Sequence, residues 1–399
     1  MSNSTAIALY TGSAATTATA AADSKYRTLK RCQCIHPDCH GLLPGLPEEI
    51  AQLCLSLVPA STLFAVCHSW RRLIYSPEFP PFLSIYALFL PGETLPDLSN
   101  SIQFSSFDPI SHKWEPLPNP PSDPPLCLLY RHPSFISRKL PIQSVTVSGN
   151  LVLLAATADQ FIPALSRPLI FNSLLQKWTY GPDFSAPRRW CAAGASGGAL
   201  YIASGIGSQY DNDVARSVEK WNPNNNTAQS HHRKWRWEKK ARLRDAKFSR
   251  EAIEAVGWKG KLCMVNVKGD AAKEGAIYDV ERDVWEDMPE GMLAGWRGPA
   301  AAMEEDTIYV VDESRGSLKK YDHVRDTWVE VLENEILKGA QQAAAGGGRL
   351  CVLCADGVHI AVVDVAAEDP PARLWTVESP PGVQAVGIHI LPRLSRPKF

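Results

Sequence analysis

The chain carries almost no net charge: among its 399 residues, 41 Lys and Arg stand against 42 Asp and Glu, a formal balance of −1. Such a total supplies no global field to draw it to nucleic acid or to a membrane surface, so any such pull must come from a local patch. Long apolar runs are missing too. The longest, Phe82 to Leu90, falls far short of the roughly 20 residues that span a bilayer. No clear signal peptide is present, so the ten Cys are expected to be reduced thiols, with the protein in the nucleus or cytoplasm. Catalytic signatures are also absent: no phosphate loop, nucleophile elbow, paired His-Glu zinc motif or Ser-x-Asp-x-Gly-x-x-Trp turn occurs. A non-catalytic chain without cofactor or metal is the expectation.

What the chain does have is Trp, twelve of them, and a repeat that uses them. An aromatic residue, a turn-rich stretch and a Trp seven positions on recur at Phe107…Trp114, Phe171…Trp178, Tyr278…Trp285 and Tyr321…Trp328. Looser copies run from Trp221 to Trp235 or Trp237 and from Val363-Asp364 to Trp375. The spacing suits a hairpin: the aromatic ends one strand, Asp, Asn or Pro make the turn, and the Trp starts the returning strand. Upstream of each unit sits another alternating run after a turn, as in Gly197 to Ala203, Lys259 to Val265 and Glu305 to Val311. Each unit therefore reads as a three- or four-stranded sheet of about 45–60 residues, the period of propeller blades. Such a sheet cannot bury both faces alone, so the units must stack around an axis. Six units are expected. The first, from about Phe82, lacks an opening strand, and Val383 to Leu391 is a strand with no Trp after it. Pairing the two would close the ring and remove both free edges.

Residues 42–77 have a different period. Leu46-Pro47-Glu48-Glu49 places Pro and two acids in a first helical turn, and Ile50, Leu53, Cys54, Leu57 and Val58 follow at helical spacing up to Pro59. Ser61 is the expected cap of a second helix with Leu63, Val66, Cys67, Trp70, Leu73 and Ile74 on one face, ended by Ser76-Pro77. Helices this short cannot bury both faces themselves, so apolar surface must meet either the rest of the chain or a partner.

The stretch from Gly45 to Ile50, with Val66-Cys67-His68-Ser69-Trp70-Arg71-Arg72-Leu73-Ile74 after it, resembles the F-box motif. With the Trp-anchored repeats behind it, the chain resembles plant-type F-box/kelch-repeat proteins of the group known as Skp-interacting partners. Two departures stand out: His68 replaces a usual basic residue, and the double Gly of kelch strands survives only at Gly197-Gly198 and Gly346-Gly347-Gly348. The resemblance implies an all-β kelch-type β-propeller of about six blades (residues 81–399) behind a small all-α F-box (42–80) and an Ala/Ser/Thr-rich tail (1–41). It also implies a substrate-recognition subunit of a cullin-RING ubiquitin ligase. The F-box would bind a Skp-type adaptor through Leu46, Pro47, Ile50, Leu53, Leu63, Val66, Trp70 and Leu73. The propeller would hold a protein substrate. A kelch scaffold without ligase function is the alternative.

A second regularity suggests where a substrate binds. A basic residue precedes the first core Leu or Ile of each second strand by eleven or twelve positions: Lys139, Arg189, Arg250, Arg297 and Lys338. A ring of cations on one propeller face, with Trp190 and Trp296 beside two of them, would suit an acidic or phosphorylated peptide. Other signals are set aside in favour of simpler readings. Cys32, Cys34, His36, Cys39 and His40 lack a second ligand pair, Cys351-Val352-Leu353-Cys354 lies in a strand, and the basic run from His231 to Arg244 reads as a solvated hairpin loop.

Overall fold

The structure, a computed structural model, describes residues 41–58, 60–74, 76, 79, 82–91, 102–121, 143–155, 165–207, 209–223, 236–249, 253–266, 274–366 and 372–393. The chain divides into two compact units, residues 1–53 and 54–399. Three short helices come first: α1 (Glu48–Ser56), which runs across that division, α2 (Ala60–Val66) and α3 (His68–Ile74). The expected second helix is thus broken at Cys67 into two.

The rest is a six-bladed propeller. Blade 1 contains β1 (Phe82–Pro91), β2 (Gln103–Asp108) and β3 (Lys113–Pro116). Blade 2 is β4 (Gln143–Val147), β5 (Asn150–Ala155), β6 (Leu169–Asn172) and β7 (Lys177–Tyr180). Blade 3 is β8 (Ala192–Ser196), β9 (Ala199–Ala203), β10 (Val218–Trp221), β11 (Glu238–Lys239) and the short β12 (Ile253–Glu254). Blade 4 is β13 (Val256–Trp258), β14 (Lys261–Asn266), β15 (Glu274–Asp279) and β16 (Val284–Asp287). Blade 5 is β17 (Ala300–Met303), β18 (Thr307–Asp312), β19 (Ser317–Asp322) and β20 (Thr327–Glu333). Blade 6 is β21 (Gln342–Gly346), β22 (Arg349–Leu353), β23 (His359–Asp364) and β24 (Arg373–Glu378). The last strand, β25 (Val383–Arg393), pairs antiparallel with β1 along its whole length, from Phe82↔Arg393 to Pro91↔Val383. The C-terminal strand therefore completes blade 1 and closes the ring, as the sequence predicted. The innermost strands β25, β4, β8, β13, β17 and β21 neighbour one another cyclically around the axis.

Because a blade buries both faces, its middle strands read as continuous apolar runs rather than alternating ones. Leu151 to Leu154 are all buried. The core is six clusters, one at each seam between consecutive blades.

The seven-residue spacing has a local cause. In four blades the aromatic and the Trp are direct cross-strand partners: Phe107↔Trp114, Phe171↔Trp178, Tyr278↔Trp285 and Tyr321↔Trp328. The residue after each aromatic accepts N–H groups of the turn, as Asp108 does from Ile110 at 3.0 Å, Asn172 from Leu175 at 2.7 Å and Asp322 from Val324 at 2.9 Å. Two residues before each Trp the backbone is left-handed, with φ between 51 and 56° at His112, Gln176, Asp283 and Asp326. Asp and Asn tolerate that conformation better than most residues.

The Trp then bolts its blade to the one before. Indole N–H groups of Trp178, Trp237, Trp285 and Trp328 donate to the carbonyls of Pro118, Pro182, Ala241 and Met292 at 2.7–3.0 Å, and Trp114 donates to Glu378 across the closure. Asp326 adds to this: it accepts the Tyr321 hydroxyl at 2.7 Å and the Gly291 and Met292 N–H groups at 2.8 Å. Blade 6 departs from the rule. Leu374 pairs with Val363 in the anchor position, while Trp375 pairs with Val362. One residue of offset puts Trp375 on the other face of the strand, where it is 40% exposed beneath the Arg349 guanidinium. Trp375 is therefore not a blade anchor.

Blades 3 and 4 share a backbone staple. Residues 253–254 pair parallel with β8, and the chain passes into β13 two residues later. A Cβ on Gly194 would lie 2.0 Å from the Ala255 oxygen, so only glycine permits the approach.

Candidate functional site

In the first unit, Pro47 opens α1, its carbonyl accepting from Ala51 N–H at 2.9 Å. Leu46, Ile50 and Leu53, at helical spacing, are 42, 47 and 63% exposed, and Pro47 is exposed as well. Ala51 is fully buried, so the buried side of α1 differs from the Ile50–Leu53–Leu57 stripe of the sequence pattern. That stripe faces solvent.

In the second unit, Leu57 and Val66 are exposed and Trp70 is half-buried. Leu63 and Leu73 are buried. In the chain by itself these two members of the expected adaptor set are therefore not exposed. Arg71 is tied down by Phe64, its guanidinium donating to the Phe64 carbonyl and lying 4.7 Å from the ring centroid.

The expected ring of cations is only partly present on the propeller. Arg297 and Lys338 are exposed, the latter 2.8 Å from Glu335. Arg189 is buried; its backbone forms a two-way bridge with Ile206, and its guanidinium stacks 4.3 Å over Trp190, which is half-buried. Trp296 is buried in the seam between blades 4 and 5, 6.1 Å from Trp328. Arg189 and Trp296 therefore do not belong to an exposed binding set. Both stand just before an inner strand, where Trp296 packs into the seam and Arg189 is held by its bridge to Ile206 and its stack on Trp190. Lys139 and Arg250 lie outside the described residues, as do the tail with its Cys/His cluster and residues 231–235.

Sequence reasoning passed over Arg188, the neighbour of Arg189. It is buried and paired with buried Glu219 at 3.0 Å, while also donating to the Ser217 hydroxyl and to the carbonyls of Ser204 at 3.2 Å and Ala186 at 3.1 Å. A buried charge survives only with such partners. No pattern in the local sequence separates Arg188 from Arg189. Three cations in the described part of the basic run are in ion pairs, Arg242–Asp213, Arg244–Asp287 and Lys240–Glu238 at 2.7, 3.0 and 3.7 Å. Cys351 and Cys354 are buried and free, and burial pushes their thiols up to about 12 and about 11, as expected of packed side chains.

No protein-family model matches the chain. Curated proteins do. It is 55% identical over 365 residues to the F-box/kelch-repeat protein SKIP25 of Arabidopsis thaliana, covering 90% of this chain and 91% of that one. The F-box protein AFR of the same plant is 24% identical over 80% of this chain and 82% of its own, and the F-box/kelch-repeat protein SKIP4 is 22% identical over 81 and 85%. With a six-bladed propeller following the helices at its N-terminal side, and a relative this similar along almost its whole length, the chain belongs to the F-box/kelch-repeat family.

Proposed function

We propose that this protein is the substrate-recognition subunit of a cullin-RING ubiquitin ligase acting in the nucleus or cytoplasm. The observation that carries the reading is the exposed apolar row Leu46, Ile50 and Leu53. An apolar stripe left facing water on a helix start is the kind of surface a partner covers. In this reading a Skp-type adaptor covers it and connects the chain to the cullin and RING subunits, where the transfer chemistry resides. The propeller then holds a protein substrate, so that ubiquitin transfer from the bound enzyme becomes effectively intramolecular. Arg297 and Lys338, exposed on loops between blades, are the remaining candidates for contacting an acidic or phosphorylated segment of that substrate.

The test is capture of a purified Skp-type adaptor by the full chain. Leu46→Ala combined with Pro47→Ala is expected to abolish capture while the propeller melts at the same temperature. Adaptor binding that persists undiminished would leave the chain as a kelch scaffold outside any ligase.

A further inference from the structure

The six innermost strands enclose a channel of about 230 Å³ along the propeller axis. Eleven of its twenty lining residues are Ala or Gly, as in Ala300–Ala302 and Ala343–Ala345, so the wall is held back from the axis. Protein interiors are otherwise filled to crystal-like density. The space is below the usual drug-sized pocket and large enough for several waters or one small molecule.

Its polar groups are few and fixed. Gln342, only 4% exposed, lines the channel. Its Oε1 accepts the Ile388 N–H at 2.7 Å, which sets the amide, and its Nε2 has no partner among the described residues. The contrast is Gln143, which likewise opens the inner strand of its blade: both ends of its amide are taken by the Cys191 backbone. Opposite hydroxyls frame the ring of buried His389, with Ser144 Oγ 2.8 Å from Nε2 and Thr146 Oγ1 3.0 Å from Nδ1. A neutral imidazole donates at one nitrogen and accepts at the other. One hydroxyl has therefore spent its hydrogen and shows the channel lone pairs, while the other keeps a hydrogen to donate. The channel thus offers an amide donor, a hydroxyl donor and a hydroxyl acceptor, whichever tautomer is present.

Charge narrows the ligand further. Among the described residues no Lys or Arg lines the channel, so the described wall offers an anion no counter-charge. The one carboxylate among the described lining residues, Glu305, already accepts from Gly197 N–H at 2.9 Å and the Ser196 hydroxyl at 3.2 Å. We propose that the channel is a binding site for a small uncharged polyhydroxylated molecule of about monosaccharide size, held by the Gln342 amide and the Ser144 and Thr146 hydroxyls. Polyols both donate and accept, and they match a wall that does the same. This proposal does not rest on the adaptor and substrate reading above.

The full chain is titrated by calorimetry and by thermal melting with glucose, galactose and sorbitol, and with spermidine and glucose 6-phosphate as charged counterparts. Saturable binding of a neutral polyol is expected, weakened about tenfold by Thr146→Val or Gln342→Glu through one lost hydrogen bond each, and kept by Thr146→Ser. A rise in melting temperature that never saturates and is the same in every variant would be a bulk solvent effect and would overturn the proposal. So would preference for the amine or the phosphate, or no saturable binding by any polyol. Should a variant fail to fold, a crystal of the wild-type chain soaked with the same sugars decides: sugar density within hydrogen-bond distance of Gln342 Nε2 supports the site, and water alone refutes it.

Discussion

Acid should weaken the propeller through one ring. His389 sits in β25, buried between Ser144 and Thr146 of the next blade, and burial pulls its pKa down to about 4 from the ordinary 6.5. The folded state therefore favours the neutral ring. Between pH 6.5 and 4 the unfolded chain takes up a proton that the folded chain refuses, so stability falls as the pH falls through that window. Above pH 6.5 the term vanishes. With 1.36 kcal/mol per pKa unit, the loss is about 2 kcal/mol at pH 5 and levels off near about 3 kcal/mol below pH 4. Reversible urea unfolding of the wild type and of His389→Gln at pH 7.5, 6 and 5 measures it, because other titrating groups cancel in the difference. The wild type should lose about 2 kcal/mol more than the variant on going to pH 5. Parallel stability curves for the two proteins would refute the reasoning, since they would mean that His389 titrates alike folded and unfolded.

The two kinds of Trp should separate sharply. Trp328→Ala removes a ring packed on Tyr321 at 5.1 Å together with the bond to Met292, and should cost about 3–5 kcal/mol in denaturant unfolding, whereas exposed Trp375→Ala should cost about 1 kcal/mol or less. Glu219→Ala leaves the Arg188 charge buried and should destabilise by about 3–5 kcal/mol, measured the same way; a loss below 1 kcal/mol would mean that water reaches the pair. Gly194→Ala sets a methyl against the Ala255 carbonyl, and hydrogen exchange should quicken at Ala255 N–H, which bonds Ala193 at 2.8 Å, before the other blades respond.

Much of this architecture was legible because it is local. A left-handed residue two places before each Trp and an Asp or Asn capping the turn are requirements of one hairpin, so they leave a spacing that can be read. The closure by Val383–Leu391 was also readable, since a strand without a partner at each end of the repeats has one economical resolution. Adaptor and substrate residues were harder. Helical spacing marked Ile50 and Leu63 alike as apolar, yet one is exposed and the other buried. A repeat position marked Arg189 and Arg297 alike as basic loop residues, yet only Arg297 faces solvent. Trp375 misled for a related reason: period two makes a one-residue offset a change of face, and a longer hairpin hides the offset.

By itself, then, the sequence marked out the blades and the helical segment ahead of them, because hairpins and helices are set by residues a few positions apart, while the structure fixed the blade number at six. Only the tertiary structure decided what each seam and the axis do with those pieces. Arg188 finding Glu219, Trp296 filling a seam, and Gln342 and His389 meeting at a channel all depend on partners tens to hundreds of residues away, a separation that no local pattern encodes.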